Sequence, residues 1–330
     1  MATVKSAPRA AAGLFLLFVA PVGLAQESLR LEKSADAMGS TYSISVYGSD
    51  RVKMEAAIDA AFDEVKRLDD LLSNYKPDSE WSQINRTAAQ KPVKVSLELF
   101  QLLQRCVEYS RQSEGAFDIT VGPLMRVWGF YKGTGHLPHR PEIAAALSKI
   151  GYRNIELDPA AQTVRFLRPG VEIDPGGIGK GYAVDRMVEV LKRNGVKSAM
   201  VAGSASSIYA LGAPPDEPKG WEVKIKDPWE QRKTLEQIWL KDMSLSTSGS
   251  YEKFFRAEGK VYAHIMDPRT GYPAQGSVAV SVLAPRTLDS EVWAKPYFIN
   301  GRQWAAKHRL KDSRVFFCED RMEKPCAWLQ

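Results

Sequence analysis

The stretch Asp174-Pro-Gly-Gly-Ile-Gly-Lys-Gly181 constrains this chain most strongly. Four glycines and a proline within eight residues force the backbone into a sharp turn. Val171 to Asp174, before it, reads as a strand. After it, Val184, Met187, Val188 and Leu191 recur at helical spacing, and the helix stops at Asn194-Gly195. Such a strand, turn and helix can bring backbone N–H groups, a helix N-terminus and the Lys180 ammonium together on a phosphate. The spacing is not that of the P-loop, because the first glycine is misplaced and no Ser or Thr follows the lysine. Nor is it the dinucleotide pattern G-x-G-x-x-G. A tight turn with a purely structural role is the other reading of the same residues.

The surrounding pattern mixes strands and helices. Residues 41 to 47 alternate as a strand. Met54 to Leu72 is an amphipathic helix, with Ile58, Phe62, Val65, Leu68 and Leu72 on one face. Ser96 caps a second helix that runs to about Ser113. Gly133 to Pro141 is a polar loop. Ile155 to Leu157 and Thr163 to Leu167 flank Asp158-Pro159 as a hairpin. Val196 to Ala202 is a buried strand, and strands dominate from Trp221 onward, Ser277 to Ala284 among them. Helices and hairpins in this order predict the α+β class, with no repeat and no obvious linker.

The first 25 residues stand apart. Lys5 and Arg9 precede a nearly unbroken apolar run from Ala11 to Leu24, and Gly23-Leu24-Ala25 offers small residues for cleavage. This predicts a signal peptide over 1–25, a catalytic domain over 26–330, and a place in the periplasm or at the cell exterior. The apolar run is short for a membrane span, and no later stretch is long enough for one. Losing Lys5 and Arg9 would lower the formal charge of +6 by two, to +4. That mild excess suits an anionic ligand and, being scattered, gives no basis for nucleic-acid binding. Cys318 and Cys326 can pair in an oxidising compartment, while Cys106 sits at helical spacing with Leu99, Leu102 and Leu103 as a core thiol.

Two further stretches carry polar groups among turn formers. Gly115 to Phe130 sets Asp118 and Thr120 among aromatic rings, as a packed corner or as a wall for a flat heterocycle. Ser246-Thr-Ser-Gly249 and Tyr251 lead to His264-Ile-Met-Asp-Pro-Arg-Thr-Gly271. His264 is a candidate acid or base, or a structural histidine, and Asp267 to Gly271 is a good β-turn.

Together these stretches resemble, in order and spacing, the motifs of the FAD:protein FMN transferase (ApbE) family. Met38-Gly-Ser-Thr-Tyr42 resembles the family's first strand, and Leu72-Ser-Asn-Tyr75 through Ile84-Asn85 its Y-x-x-x-SE-x-S-x-I-N element. Gly115 to Phe130, Asp174 to Asp185, Ser248 to Tyr251 and His264 to Gly271 match later elements, so that the likeness covers roughly residues 35 to 302. It implies a T-fold-like, two-lobed architecture. The implied activity moves FMN from FAD to a Ser or Thr hydroxyl of a target protein, releases AMP, and uses a divalent metal such as Mg²⁺ at the pyrophosphate. By the same resemblance Met38, Tyr75, Ala116, Phe117, Asp118, Asp174, Lys180 and Ile265 bind the flavin nucleotide. His264 and Lys180 are catalytic, and Gly177, Glu291 and Ala294 hold the metal. A relative that binds flavin nucleotide without transfer, or an FAD pyrophosphatase, is the alternative.

The chain departs from the family pattern in two places. A paired glycine is replaced within Gly203-Ser-Ala-Ser-Ser-Ile208. The metal element, an Asp followed three and four residues on by Ala and Thr, reads Glu291, Ala294 and Lys295. Either Lys295 turns outward and Glu291 holds the metal, or the lysine replaces it. The acid retained at 291 favours the first arrangement.

Overall fold

The structure, a computed structural model, describes residues 28–320 and 325–330; the expected signal peptide at 1–25 lies outside the described residues. In chain order they form β1 (Leu29–Ala37), β2 (Ser40–Gly48), α1 (Arg51–Leu72), α2 (Glu80–Thr87), β3 (Val93–Lys94), α3 (Leu97–Gln112), α4 (Gly122–Val127) and α5 (Arg140–Leu147). Then come β4 (Ile155–Asp158), β5 (Thr163–Phe166), α6 (Gly179–Arg193), β6 (Ser198–Gly203), β7 (Ser207–Leu211), β8 (Trp221–Lys226), β9 (Thr234–Leu240) and β10 (Met243–Gly249). The remaining elements are β11 (Phe254–Ala257), β12 (Lys260–Ala263), β13 (Ser277–Ala284), α7 (Thr287–Lys307), β14 (Arg314–Glu319) and β15 (Cys326–Trp328).

An eight-stranded antiparallel sheet in the order β1-β2-β6-β7-β10-β13-β14-β15 is the backbone of the fold. Side-chain alternation gives it two buried faces. Ile44, Val46, Ala199 and Val201 pack under α1 and α6, and Val280 and Val282 pack toward α7. Ala279, Leu283 and Leu245 point the other way, into the β8–β9 hairpin. Asp50 caps α1 by accepting the Lys53 N–H at 3.1 Å, and the expected face from Ile58 to Leu72 is buried. Ser96 caps α3 as its position predicts. The class is α+β.

Three local expectations give way. Val171 to Asp174 joins no sheet. Side chains take the place of a neighbouring strand. The Ile173 carbonyl accepts from Trp81 Nε1 and Asn85 Nδ2, and its N–H donates to Asn85 Oδ1. The polar loop holds over 133–139 and gives way only at its last two residues, where α5 begins and Glu142 accepts the His139 N–H. The 21-residue α7 lies in the region read as strands. It contains Pro296 and a non-helical Gly301, and it buries Val292, Trp293, Ala294, Tyr297 and Phe298 around much of its surface. A helix wrapped this fully by protein shows no clean amphipathic stripe. At the C-terminal edge Cys318 and Cys326 form a disulfide across β14 and β15, and Cys106 is a buried free thiol.

Candidate functional site

The glycine turn is where α6 meets α7. Asp185 accepts the N–H groups of Thr287 (2.7 Å) and Leu288 (3.0 Å), so a side chain on α6 caps the start of α7. One turn deeper, the Gly181 N–H donates to Glu291 Oε2 at 2.5 Å. A Cβ on Gly181 would sit 2.6 Å from the Thr287 carbonyl oxygen, so only glycine allows the two helices this approach. The close approach brings residues 177 to 180 against Glu291 and Lys295, on the wall of a cavity of about 420 Å³.

That cavity has an apolar side and a basic side. Met38, Ala116, Phe117 and Ile265 line the first, and Tyr75 stands at its mouth with 78% of its surface exposed. Lys180 and Lys295 line the second, with Lys253 nearby. Lys180 Nζ donates to Ser206 Oγ at 2.5 Å. Ser206, within the stretch where the family's paired glycine is replaced, therefore holds the lysine. Asp118 and Asp174 also reach the cavity, but their oxygens are engaged. Asp118 accepts from the Thr120 N–H and hydroxyl and from the Tyr152 N–H. Asp174 accepts from Asn74 Nδ2 (3.0 Å), the Tyr131 hydroxyl (2.7 Å) and the Gly176 N–H (2.8 Å). Burial raises the pKa of Asp174, and these donors oppose the rise.

The turn is not the backbone cradle that its glycines suggest. The N–H groups of Gly176, Ile178, Gly179, Gly181 and Tyr182 bond to Asp174, Pro175, Pro175, Glu291 and Ile178. Within 175–182 only Gly177 and Lys180 keep an N–H outside these bonds. The cationic groups that the turn presents to the cavity are therefore side chains, those of Lys180 and its neighbour Lys295.

His264 follows β12 at the base of the β11–β12 hairpin, half-buried on the cavity wall. Its N–H donates to the Lys253 carbonyl at 2.9 Å, and Nδ1 lies 3.2 Å from the same oxygen. A carbonyl only accepts, so Nδ1 carries the proton and Nε2 is the free acceptor. Burial pushes the pKa down to about 4, against the Lys253 hydrogen bond, and Lys295, Lys253 and Lys180 add to the fall. At neutral pH His264 carries no charge.

The residues assigned to a metal do not fit one. Ala294 is packed in the core and lines no part of the cavity. One Glu291 oxygen is taken by Gly181. Lys295 points inward, against the expectation that it turns away. Its Cε lies 3.3 Å from where a Cβ on Gly177 would be, and its Nζ donates to the Glu291 carbonyl at 3.0 Å. Burial lowers its pKa, Lys180 acts the same way, and Glu291 opposes them. A divalent ion ~4 Å from that ammonium would cost ~8 kcal/mol at an effective dielectric of ~20. Among the described residues no group of three His, Cys, Asp or Glu side chains is placed to hold a metal.

With this geometry in view, the comparison with known proteins is direct. A profile of the ApbE family matches residues 38–316. The chain belongs to the ApbE family. The FAD:protein FMN transferase of Klebsiella pneumoniae (strain 342) is 33% identical to it over 270 residues, 80% of this chain and 81% of the relative. That of Treponema pallidum (strain Nichols) is 31% identical over 263 residues, 76% of this chain and 72% of the relative. Among solved structures, the ApbE protein of Thermotoga maritima has a TM-score of 0.80 and 29% identity, covering 90% of this chain and 98% of its own. The apo form of Pseudomonas stutzeri flavinyl transferase ApbE has a TM-score of 0.80 and 26% identity, covering 91% and 94%.

Four side chains at the ApbE site escaped the sequence reading: Asn74, Tyr131, Ser206 and Lys253. Asn74 lies inside a quoted motif, and Tyr131 lies one residue beyond another. Their roles depend on Asp174, about 100 and 43 positions away, a pairing that no local pattern encodes. Lys253 had no sequence signal. It reaches the site because the β11–β12 hairpin sets it beside His264.

Proposed function

We propose that this chain transfers the FMN half of FAD to a Ser or Thr hydroxyl of an exported acceptor protein and releases AMP. The observation that carries the proposal is one cavity, in an ApbE chain, that sets an apolar wall beside Lys180, Lys295 and a neutral His264. The flavin ring fits against Met38, Phe117 and Ile265, and the pyrophosphate against the two ammonium groups. The acceptor hydroxyl oxygen attacks the phosphorus that bears riboflavin. A new O–P bond forms as the bond from that phosphorus to the bridging oxygen breaks, and AMP leaves with the electron pair. The hydroxyl proton passes to Nε2 of His264, which its lowered pKa keeps free to accept it. Lys180 and Lys295 stabilise the charge on the phosphate oxygens during the displacement. The Mg²⁺ implied by the resemblance enters no step, because Lys295 fills its place.

The work is done outside the cytoplasm. The predicted leader and the Cys318–Cys326 disulfide both support this location. The names of the relatives favour transfer over flavin binding alone or hydrolysis to FMN and AMP. Mass spectrometry of a candidate exported acceptor, after incubation with this chain and FAD, tests the proposal. One FMN gained on a Ser or Thr supports it. Free FMN and AMP with an unmodified acceptor would mean hydrolysis instead.

A further inference from the structure

We infer that this chain works without a divalent cation, and that the Lys295 ammonium, beside that of Lys180, supplies the positive charge at the pyrophosphate. The inference rests on the FAD reading above. It starts from position. The Lys295 stem packs on Gly177, and its Nζ bonds to the Glu291 carbonyl, so one side chain fills the corner between two residues to which the resemblance assigns a metal.

Charge bookkeeping points the same way. Asp118, Asp174 and Glu291 are buried, and each already accepts protein hydrogen bonds. Glu252 is the exposed carboxylate at the mouth. Lys180 and Lys295 make their hydrogen bonds to neutral oxygens, Ser206 Oγ and the Glu291 carbonyl. An ammonium has three N–H donors, so each lysine keeps donors for a ligand. The two ionised oxygens of a dinucleotide pyrophosphate then meet two fixed cations. A metal added to this corner would meet repulsion instead.

The test uses the full chain in EDTA and in Mg²⁺, with FAD binding read by calorimetry and FMN transfer read by mass spectrometry. The wild-type chain is expected to bind FAD equally, within about twofold, and to transfer FMN in both buffers. Lys295→Met keeps the stem against Gly177 and removes the charge; it should weaken FAD binding at least about tenfold in EDTA, the size of one charge-assisted hydrogen bond. Lys295→Thr opens the corner, and Mg²⁺ should restore part of its lost affinity. Wild-type binding or transfer that appears only with Mg²⁺ overturns the inference, as does unchanged FAD affinity in Lys295→Met. If no buffer yields transfer, the transferase reading fails, and the binding arm still decides whether Lys295 replaces a metal.

Discussion

The two ends of the glycine turn bear an acid and a base, and their hydrogen bonding differs sharply. At the acid end Asp174 is saturated by Asn74, Tyr131 and Gly176, donors from three separate parts of the chain. At the basic end Lys180 and Lys295 make one neutral hydrogen bond each and face the cavity. A saturated carboxylate holds a scaffold together; an unpaired ammonium waits for an anion. Facing a cavity is therefore not enough to make a residue a ligand. The number of partners it already has separates the two kinds.

The largest effect expected concerns His264, which borders the basic end. His264→Ala should lower transfer by about 10²–10⁴-fold while FAD affinity stays within about threefold. A near-native rate would remove His264 from the chemistry. Asp174→Ala should act on the scaffold. It orphans a buried amide, a tyrosyl hydroxyl and a backbone N–H, so chemical denaturation should show a loss of about 2–4 kcal/mol. If stability holds and only FAD binding falls, the acid end is a ligand site after all. Lys180→Met should show the converse, with FAD binding weaker by about 1.5–3 kcal/mol and stability within about 0.5 kcal/mol.

The last effect is one of pH. His264 titrates near 6.5 when unfolded and at about 4 when folded. Between those values the unfolded chain binds the proton and the folded chain does not. The contribution of His264 to stability is therefore full above about pH 6.5 and is lost as pH falls toward 4. Denaturation of wild type and His264→Ala across this range should show a flatter slope in the variant. Equal slopes would contradict the depressed pKa.

Much of the fold was legible because its signals were local. The apolar face of α1, the Ser96 cap of α3 and the end of α6 at Asn194-Gly195 each lie within a few turns of sequence. α7 was hidden by Pro296, Gly301 and burial on most sides. The residues around the cavity were legible through their motifs, but their partners were not. That Asp174 is closed by Tyr131, that Ser206 holds Lys180, and that Lys295 turns inward are facts of tertiary packing. The sequence left the glycine turn open between a phosphate cradle and a structural turn for a related reason. Its N–H groups bond to Asp174, Pro175, Glu291 and Ile178, and only the folded chain shows those partners.

The central claim is that the basic end of the turn grips a pyrophosphate. Calorimetry of the wild-type chain with FAD and with riboflavin tests it most directly, because the two ligands share the ring that would meet Met38, Phe117 and Ile265 and differ in the adenosine diphosphate part, whose phosphates would meet Lys180 and Lys295. The account predicts that FAD binds at least about tenfold more tightly, the worth of one charge-assisted hydrogen bond. Equal affinities would mean that the lysines do not bind phosphate, and would contradict it.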